Sequence, residues 1–269
     1  MSILSSQTPV IISRSGARIY VEHDPIAPPP HPGLGWTRFV CISDNHSKLF
    51  PVPPGDVLIH AGDLSSWGYT AHLKTTTNWL MSMDHPCKIV TAGNHDLCLD
   101  PLFTWEGTGS MPPEELAAAR ELVKGHAALG ANIRYLENEA TEIEAGGRRW
   151  KIYASPASPL YAQGAFKYHG QGQATELWSR IPEDIDILIT HTPPHDILDA
   201  TRKGVKAGCA VLRSRLEDLP NCRLHVFGHI HEAHGVMIHG NIAGGERVFV
   251  NAALGSSLRR QAIIVDLLN

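Results

Sequence analysis

Five short apolar runs, each ending abruptly in Asp, Asn or His, constrain this chain more than any other feature of its sequence. They cover residues 38–43, 56–62, 88–93, 186–190 and 224–228. A run that is apolar at consecutive positions, rather than alternating, belongs to a strand buried on both faces. Helical patterns fall between the runs, at about 71–83, 113–129, 175–179 and 210–216, with Leu73 and Leu80 on one apolar stripe of the first. Further strands are expected at 133–136, 140–145, 149–155, 236–239, 247–251 and 262–266, with Gly146 and Gly147 turning one hairpin. Strands that alternate with helices early and late predict a mixed-sheet α/β domain with helices outside.

The polar ends of the runs are Asp44 and His46, then Asp63, then Asn94, His95 and Asp96, then His191, and last His229 and His231. In an open α/β sheet the ligand site lies beyond the carboxyl ends of the strands. Parallel neighbours would therefore bring all five clusters to one rim. His229 and His231 stand at i and i+2, so an extended backbone puts both imidazoles on one side. Carboxylate, amide oxygen and imidazole without thiolate suit Mn, Fe, Zn or a similar divalent ion. Asp44, His46, Asp63, Asn94, His191, His229 and His231 are too many ligands for one four-coordinate ion. Two ions sharing a carboxylate, about 3.5–4 Å apart, fit the set better.

The bulk of the chain narrows the partners. Its 23 Lys and Arg against 27 Asp and Glu leave a formal charge of −4. That balance carries no electrostatic footprint for long nucleic acid or an anionic membrane. No apolar run reaches membrane-span length, and residues 1–9 lack a basic, apolar leader pattern, so a cytoplasmic location is expected. The five cysteines are odd in number, scattered and without a CxxC pair, which predicts reduced thiols and no structural zinc. Residues 1–35, rich in Pro and Gly from 25 on and with one short strand at 17–22, read as an N-terminal arm to a single domain over 36–269.

Asp44-x-His46, Gly62-Asp63, Gly93-Asn94-His95-Asp96, His191 and Gly228-His229-x-His231 resemble, in order, the five motifs of the calcineurin-like metallophosphoesterases. Their flanks, among them the run before Asp63 and the run before Gly228, are similar to the metallophosphoesterase-domain-containing branch with its animal brain proteins. The resemblance implies a layered α/β/β/α sandwich of mixed sheets with the metal site at the carboxyl ends of the strands. It implies two divalent ions, manganese favoured. Asp44, His46 and His231 would hold one, Asn94, His191 and His229 the other, and Asp63 would bridge them. It implies that His95, oriented by Asp96, protonates the leaving oxygen. The middle residue of the first motif is Asn45 where a threonine is usual. His229 is present where some weakly active animal members lack it.

The reaction so implied is hydrolysis of small phosphodiesters, cyclic nucleotides among them. Action on a phosphomonoester or a non-phosphate metabolite, or silent nucleotide binding, are the alternatives. A phosphodiester anion repels hydroxide, so the site must neutralise charge and generate a nucleophile near neutral pH, as paired cations do. Its alkoxide leaving group needs a proton, which a placed histidine supplies.

Other polar residues have plainer readings. His60 and His225 lie inside apolar runs and read as core, while His31, His126, His169 and His239 read as surface. Asp56 and Asp186 open strands and read as turn residues. His195 and His234, each close behind a motif, and Lys203 in the basic loop with Arg202 and Lys206, are candidate substrate-binding residues. Tyr161, Phe166 and Tyr168 either wall a base-sized pocket or pack in the core, and Asn251 is a candidate support for the site.

Overall fold

The five runs do become buried strands, and they divide between two sheets. The structure is a computed structural model that describes all residues except 1–8, 106–108, 161–163, 241–244, 256 and 258. In the first sheet Trp36–Ile42, Val57–Ala61, Cys87–Thr91 and Ile133–Tyr135 run parallel, in register through Val40 against Leu58 and Leu58 against Lys88. Ile263–Leu268 joins antiparallel beside Trp36–Ile42, and Ala17–Tyr20 pairs outside it. In the second sheet Arg148–Ser155, Ile187–Thr190, Leu224–Phe227 and Glu246–Asn251 run parallel. Glu139–Ala145 and Gly235–Gly240 flank them as antiparallel edges.

Side-chain parity assigns the layers. Phe39, Cys41, Val57 and Ile59 of the first sheet share one core with Trp150, Ile152, Ile187, Val226 and Val250 of the second. The alternate residues Val40, Ile42 and Leu58 pack instead on Leu73 and Leu80 of the helix Thr70–Met81 and on Ala119 and Val123 of Pro113–Lys124. Tyr153, Leu188 and Phe227 face outward on the other side, against Ala174 and Trp178 of Gly170–Ser179 and Leu212 of Ala210–Arg215. Period-two side chains thus give each strand one face for the partner sheet and one for a helix. The result is the expected α/β/β/α sandwich. Trp150 meets Phe39 edge to face across the inter-sheet layer, ring centroids 5.2 Å apart, and donates its indole N–H to Thr37.

Local details depart from the sequence reading. The helix expected over 113–129 breaks at Gly125, whose extended backbone (φ −72°, ψ 173°) separates Pro113–Lys124 from His126–Gly130. The helix expected at 175–179 starts earlier, at Gly170. Within 97–112 the chain forms a 3-10 turn at Leu97–Leu99 and a small ladder of Thr104–Trp105 with Gly109–Ser110. Of the strand expected at 17–22, Ala17–Tyr20 forms and is built into the first sheet. The Pro-rich stretch after it is tied down by Arg38, a charged residue inside an apolar run. Its guanidinium forks onto buried Asp266 (2.7 and 2.8 Å) and donates to the carbonyls of Pro29 and Pro30. Asp56 and Asp186 cap strand starts, accepting from the backbone N–H groups of Arg38 and Lys151. All five cysteines are buried and unpaired.

Candidate metal centre

Where three of the five runs end, the backbone turns left-handed. Asp44, His46, Asp63 and His229 have φ of 53°, 47°, 55° and 66°. Non-glycine residues hold this conformation only where the surroundings over-determine it, and such strain gathers at functional sites. Tight turns at adjacent strand ends aim the side chains at one point. Space there is short: a Cβ on Gly62 would lie 2.5 Å from His191 Nδ1, and one on Gly93 or Gly228 would overlap the carboxylate of Asp63 or Asp44. Glycine before each of these ligand residues is therefore a packing requirement.

The ligand atoms of Asp44, His46, Asp63 and His231 all lie within 4.8 Å of one another. His46 Nε2 is 3.2 Å from His231 Nε2, which is 3.1 Å from Asp44 Oδ1. A second group forms beside the first. Asn94 Oδ1 lies 2.9 Å from His191 Nε2 and 2.8 Å from His229 Nδ1. Asp63 touches both groups, with Oδ2 3.7 Å from His46 Nε2 and Oδ1 3.4 Å from His191 Nε2. The first sheet supplies Asp44, His46, Asp63 and Asn94, and the second supplies His191, His229 and His231.

The donor chemistry fits divalent cations. His191 Nδ1 donates to the Ala61 carbonyl at 3.0 Å, so its Nε2 carries a bare lone pair. That lone pair faces the oxygens of Asn94 and Asp63, which are themselves acceptors. His46 is set the same way, its Nδ1 donating to the Ser65 carbonyl at 3.3 Å. Acceptors that face one another, as His191 Nε2 faces the oxygens of Asn94 and Asp63, are what a cation satisfies, and the carbonyls behind His191 and His46 are the usual orienting device. Burial lowers His46 to about 4 and, with His191 adding, His229 to about 3, so both are neutral, the form that ligates metal. Burial and the neighbouring Asp44 push Asp63 well above the usual carboxylate range. Burial alone would raise Asp44 too, but the His231 hydrogen bond and the surrounding imidazoles outweigh it and hold Asp44 well below that range.

His95 stands over the first group, its ring 4.7 Å from that of His46. Its Nδ1 donates to the Ser66 carbonyl at 2.7 Å. The orientation expected from Asp96 thus comes from Ser66. Asp96 points inward and accepts the backbone N–H groups of Gly93, Leu64 and Ser65 at 2.8, 3.1 and 2.7 Å. It clamps the second and third strand-end loops together because those three amides converge on a fully buried carboxylate. No sequence pattern marked Ser66, whose role rests on its backbone.

The remaining candidates scatter. His234 is drawn down to about 4 by burial and by Arg260, and its Nδ1 finds no partner among the described residues. His195 is partly exposed and pairs with Asp196 at 3.0 Å. Lys203 and Arg202 are exposed in their loop, while Lys206 reaches buried Asp199 at 3.5 Å. Tyr168 packs in the core against Trp178 and Phe166 is half-buried, while Tyr161 lies outside the described residues. Asn251 does support the site: it donates to the carbonyls of Ile230, between the two histidines of the last motif, and of Leu198. His60 and His225 are core residues, bonded to Asn45 and Thr190. Asn45 itself turns away from the ligands and donates to Lys48 and Thr76. Arg260, next to His231 across Gly255, had no signal in the sequence.

An α/β/β/α sandwich with paired Asp/His/Asn groups at its strand ends defines a metallophosphoesterase-type protein. The sequence model of the calcineurin-like phosphoesterase family matches residues 37–233. Metallophosphoesterase domain-containing protein 1 of Homo sapiens is 38% identical over 248 residues, 87% of this chain and 69% of the relative. The UPF0046 protein C25E10.12 of Caenorhabditis elegans is 38% identical over 242 residues, 86% of this chain and 80% of the relative. A solved structure, TT1561 of Thermus thermophilus, shares the fold at a TM-score of 0.52 and 12% identity, over 83% of this chain and 90% of that one. The chain belongs to the calcineurin-like phosphoesterase family, among the relatives of metallophosphoesterase domain-containing protein 1. Among the described residues no helix is long and apolar enough to cross a membrane.

Proposed function

We propose that this protein hydrolyses small phosphodiesters, cyclic nucleotides among them, with two divalent ions, manganese favoured. The observation that carries the reading is Asp63, whose two oxygens face separate donor groups, 3.7 Å from His46 and 3.4 Å from His191. Asp44, His46 and His231 would hold one ion, Asn94, His191 and His229 the other, with Asp63 shared. Ions held there would screen the phosphoryl charge and lower the pKa of a water. The chain's own residues do the rest. The carbonyls of Ala61 and Ser65 fix the tautomers of His191 and His46. Ser66 keeps the proton on His95 Nδ1, which leaves Nε2 to carry the proton for the leaving oxygen. Asp96 holds the loop that presents Asn94 and His95. The formal charge of −4 supports a small substrate over long nucleic acid. His195, His234 and Lys203 are the substrate contacts in this reading.

Metal analysis joined to a substrate panel tests it. Purified protein should carry two ions per active chain and turn over bis-aryl phosphate and 2′,3′- or 3′,5′-cyclic nucleotides faster than monoesters. Full activity with a single ion overturns the dinuclear centre, and a preference for monoesters overturns the diester assignment.

A further inference from the structure

Trp67 is 62% exposed, and its indole lies 5.5 Å from the His95 ring, on the rim of the metal centre. Large aromatics are seldom left this open, because their flat apolar area is worth most when covered. The residues on either side of it are pinned. Ser66 donates to the His46 carbonyl at 2.6 Å while its own carbonyl holds His95 at 2.7 Å. Gly68 donates to Ser65 Oγ at 3.1 Å and has φ of +70°, with no room for a Cβ beside Leu97. Ser65 Oγ in turn donates to the His95 carbonyl at 2.9 Å. One short turn therefore orients His95 and presents the indole next to it.

We infer that Trp67 is a specificity-determining residue that stacks on a flat aromatic group, nucleobase or aryl, carried on the leaving-group side of the substrate. This rests on the reading of His95 as the group that protonates the leaving oxygen. A leaving oxygen within reach of His95 places whatever it carries beside Trp67. A mounted indole loses little freedom on contact, so the stacking area is returned as affinity. Every nucleobase has such a face, and so does a simple aryl ester.

The test is calorimetric binding to the metal-loaded full-length protein, with AMP and phenyl phosphate set against ribose 5-phosphate and methyl phosphate. Trp67→Ala should weaken the aromatic ligands by at least about five-fold and leave the other two unchanged. Trp67→Phe should restore most of the loss, with metal content equal in all three proteins. In the wild type, AMP should quench indole fluorescence, and the Trp67→Phe protein should lose that quench. Loss with AMP alone narrows the occupant to a nucleobase; loss with both aromatic ligands supports a general aromatic platform. Equal weakening of aromatic and non-aromatic ligands overturns the inference, as does a wild type that binds AMP no better than ribose 5-phosphate. Diester turnover is read in parallel. If it is absent while the aromatic contrast persists, the proposed reaction fails and the stacking site stands.

Discussion

The two halves of the metal centre are built differently. The half on the first sheet is tied to itself: Asp96 gathers the amides of Leu64, Ser65 and Gly93, and Ser66 links His46 to His95. The backbone N–H groups of Asp44 and His46 also donate to Gly62 and Asp63, joining the first two strand-end loops. The half on the second sheet has fewer internal ties and is located by docking on the first. His191 donates to Ala61, and the backbone N–H of His229 donates to the Asp44 carboxylate at 3.0 Å. From its own side the His229–His231 segment is held by Asn251, which donates to the Ile230 carbonyl, and by the Gly228 N–H, which donates to the His191 carbonyl at 3.1 Å. One half is thus preorganised by its loops, and the other depends on how the sheets pack. Damage to the inter-sheet core should therefore reach the centre through His191, His229 and His231 before it reaches Asp44 and His46.

Asp63 is the residue both halves need, so its loss is the largest effect expected. Asp63→Ala should lose both ions by elemental analysis and lower turnover on every substrate by about 10⁴-fold or more. If one ion is retained at full affinity, the halves are independent. His95→Ala leaves both halves intact: metal content should hold, while turnover on alkyl esters falls by about 10²–10⁴-fold. Activated aryl esters should be affected far less, and equal loss on both classes would argue against the proton-donor role. Trp150→Ala attacks the packing between the sheets and should cost about 3–5 kcal/mol in urea unfolding. Residual folded protein should bind metal more weakly at the His191 and His229 group. Asn251→Ala should lower metal affinity by about 10–100-fold, with little change in unfolding midpoint. Asp96→Ala, its counterpart on the first sheet, should lower both.

The last effect concerns pH. His60 is buried in the first sheet, and burial lowers it to about 3 from 6.5. Its folded form therefore binds fewer protons than the unfolded chain below pH about 6.5. The stability it contributes is complete above that pH and is lost as pH falls toward 3, by up to about 1.4 kcal/mol per pH unit. Urea midpoints of metal-free protein against pH should show this slope, and His60→Gln should flatten it. An unchanged slope would locate the acid sensitivity in the second sheet, where His225 is also lowered by burial.

Much of this was legible in the chain. The buried strands could be read because apolar runs report burial locally, and their polar ends because a ligand must be a particular residue type. Asp44, His46, Asp63, Asn94, His191, His229 and His231 stood out as candidates at that level. The residue pattern pointed to a mixed-sheet α/β domain with helices outside, and the four layers entered through the family resemblance. Tertiary structure alone decided where each side chain turned. Asp96 turned inward to three amides, a backbone carbonyl at Ser66 took over His95, Asn45 pointed away from the ligands, and Arg38 anchored the N-terminal stretch through Asp266. A backbone carbonyl has no residue type, and a left-handed turn or a partner more than 200 positions away leaves no mark in local pattern. Trp67 is the sharpest case: its type was visible throughout, but only the folded turn set it beside His95.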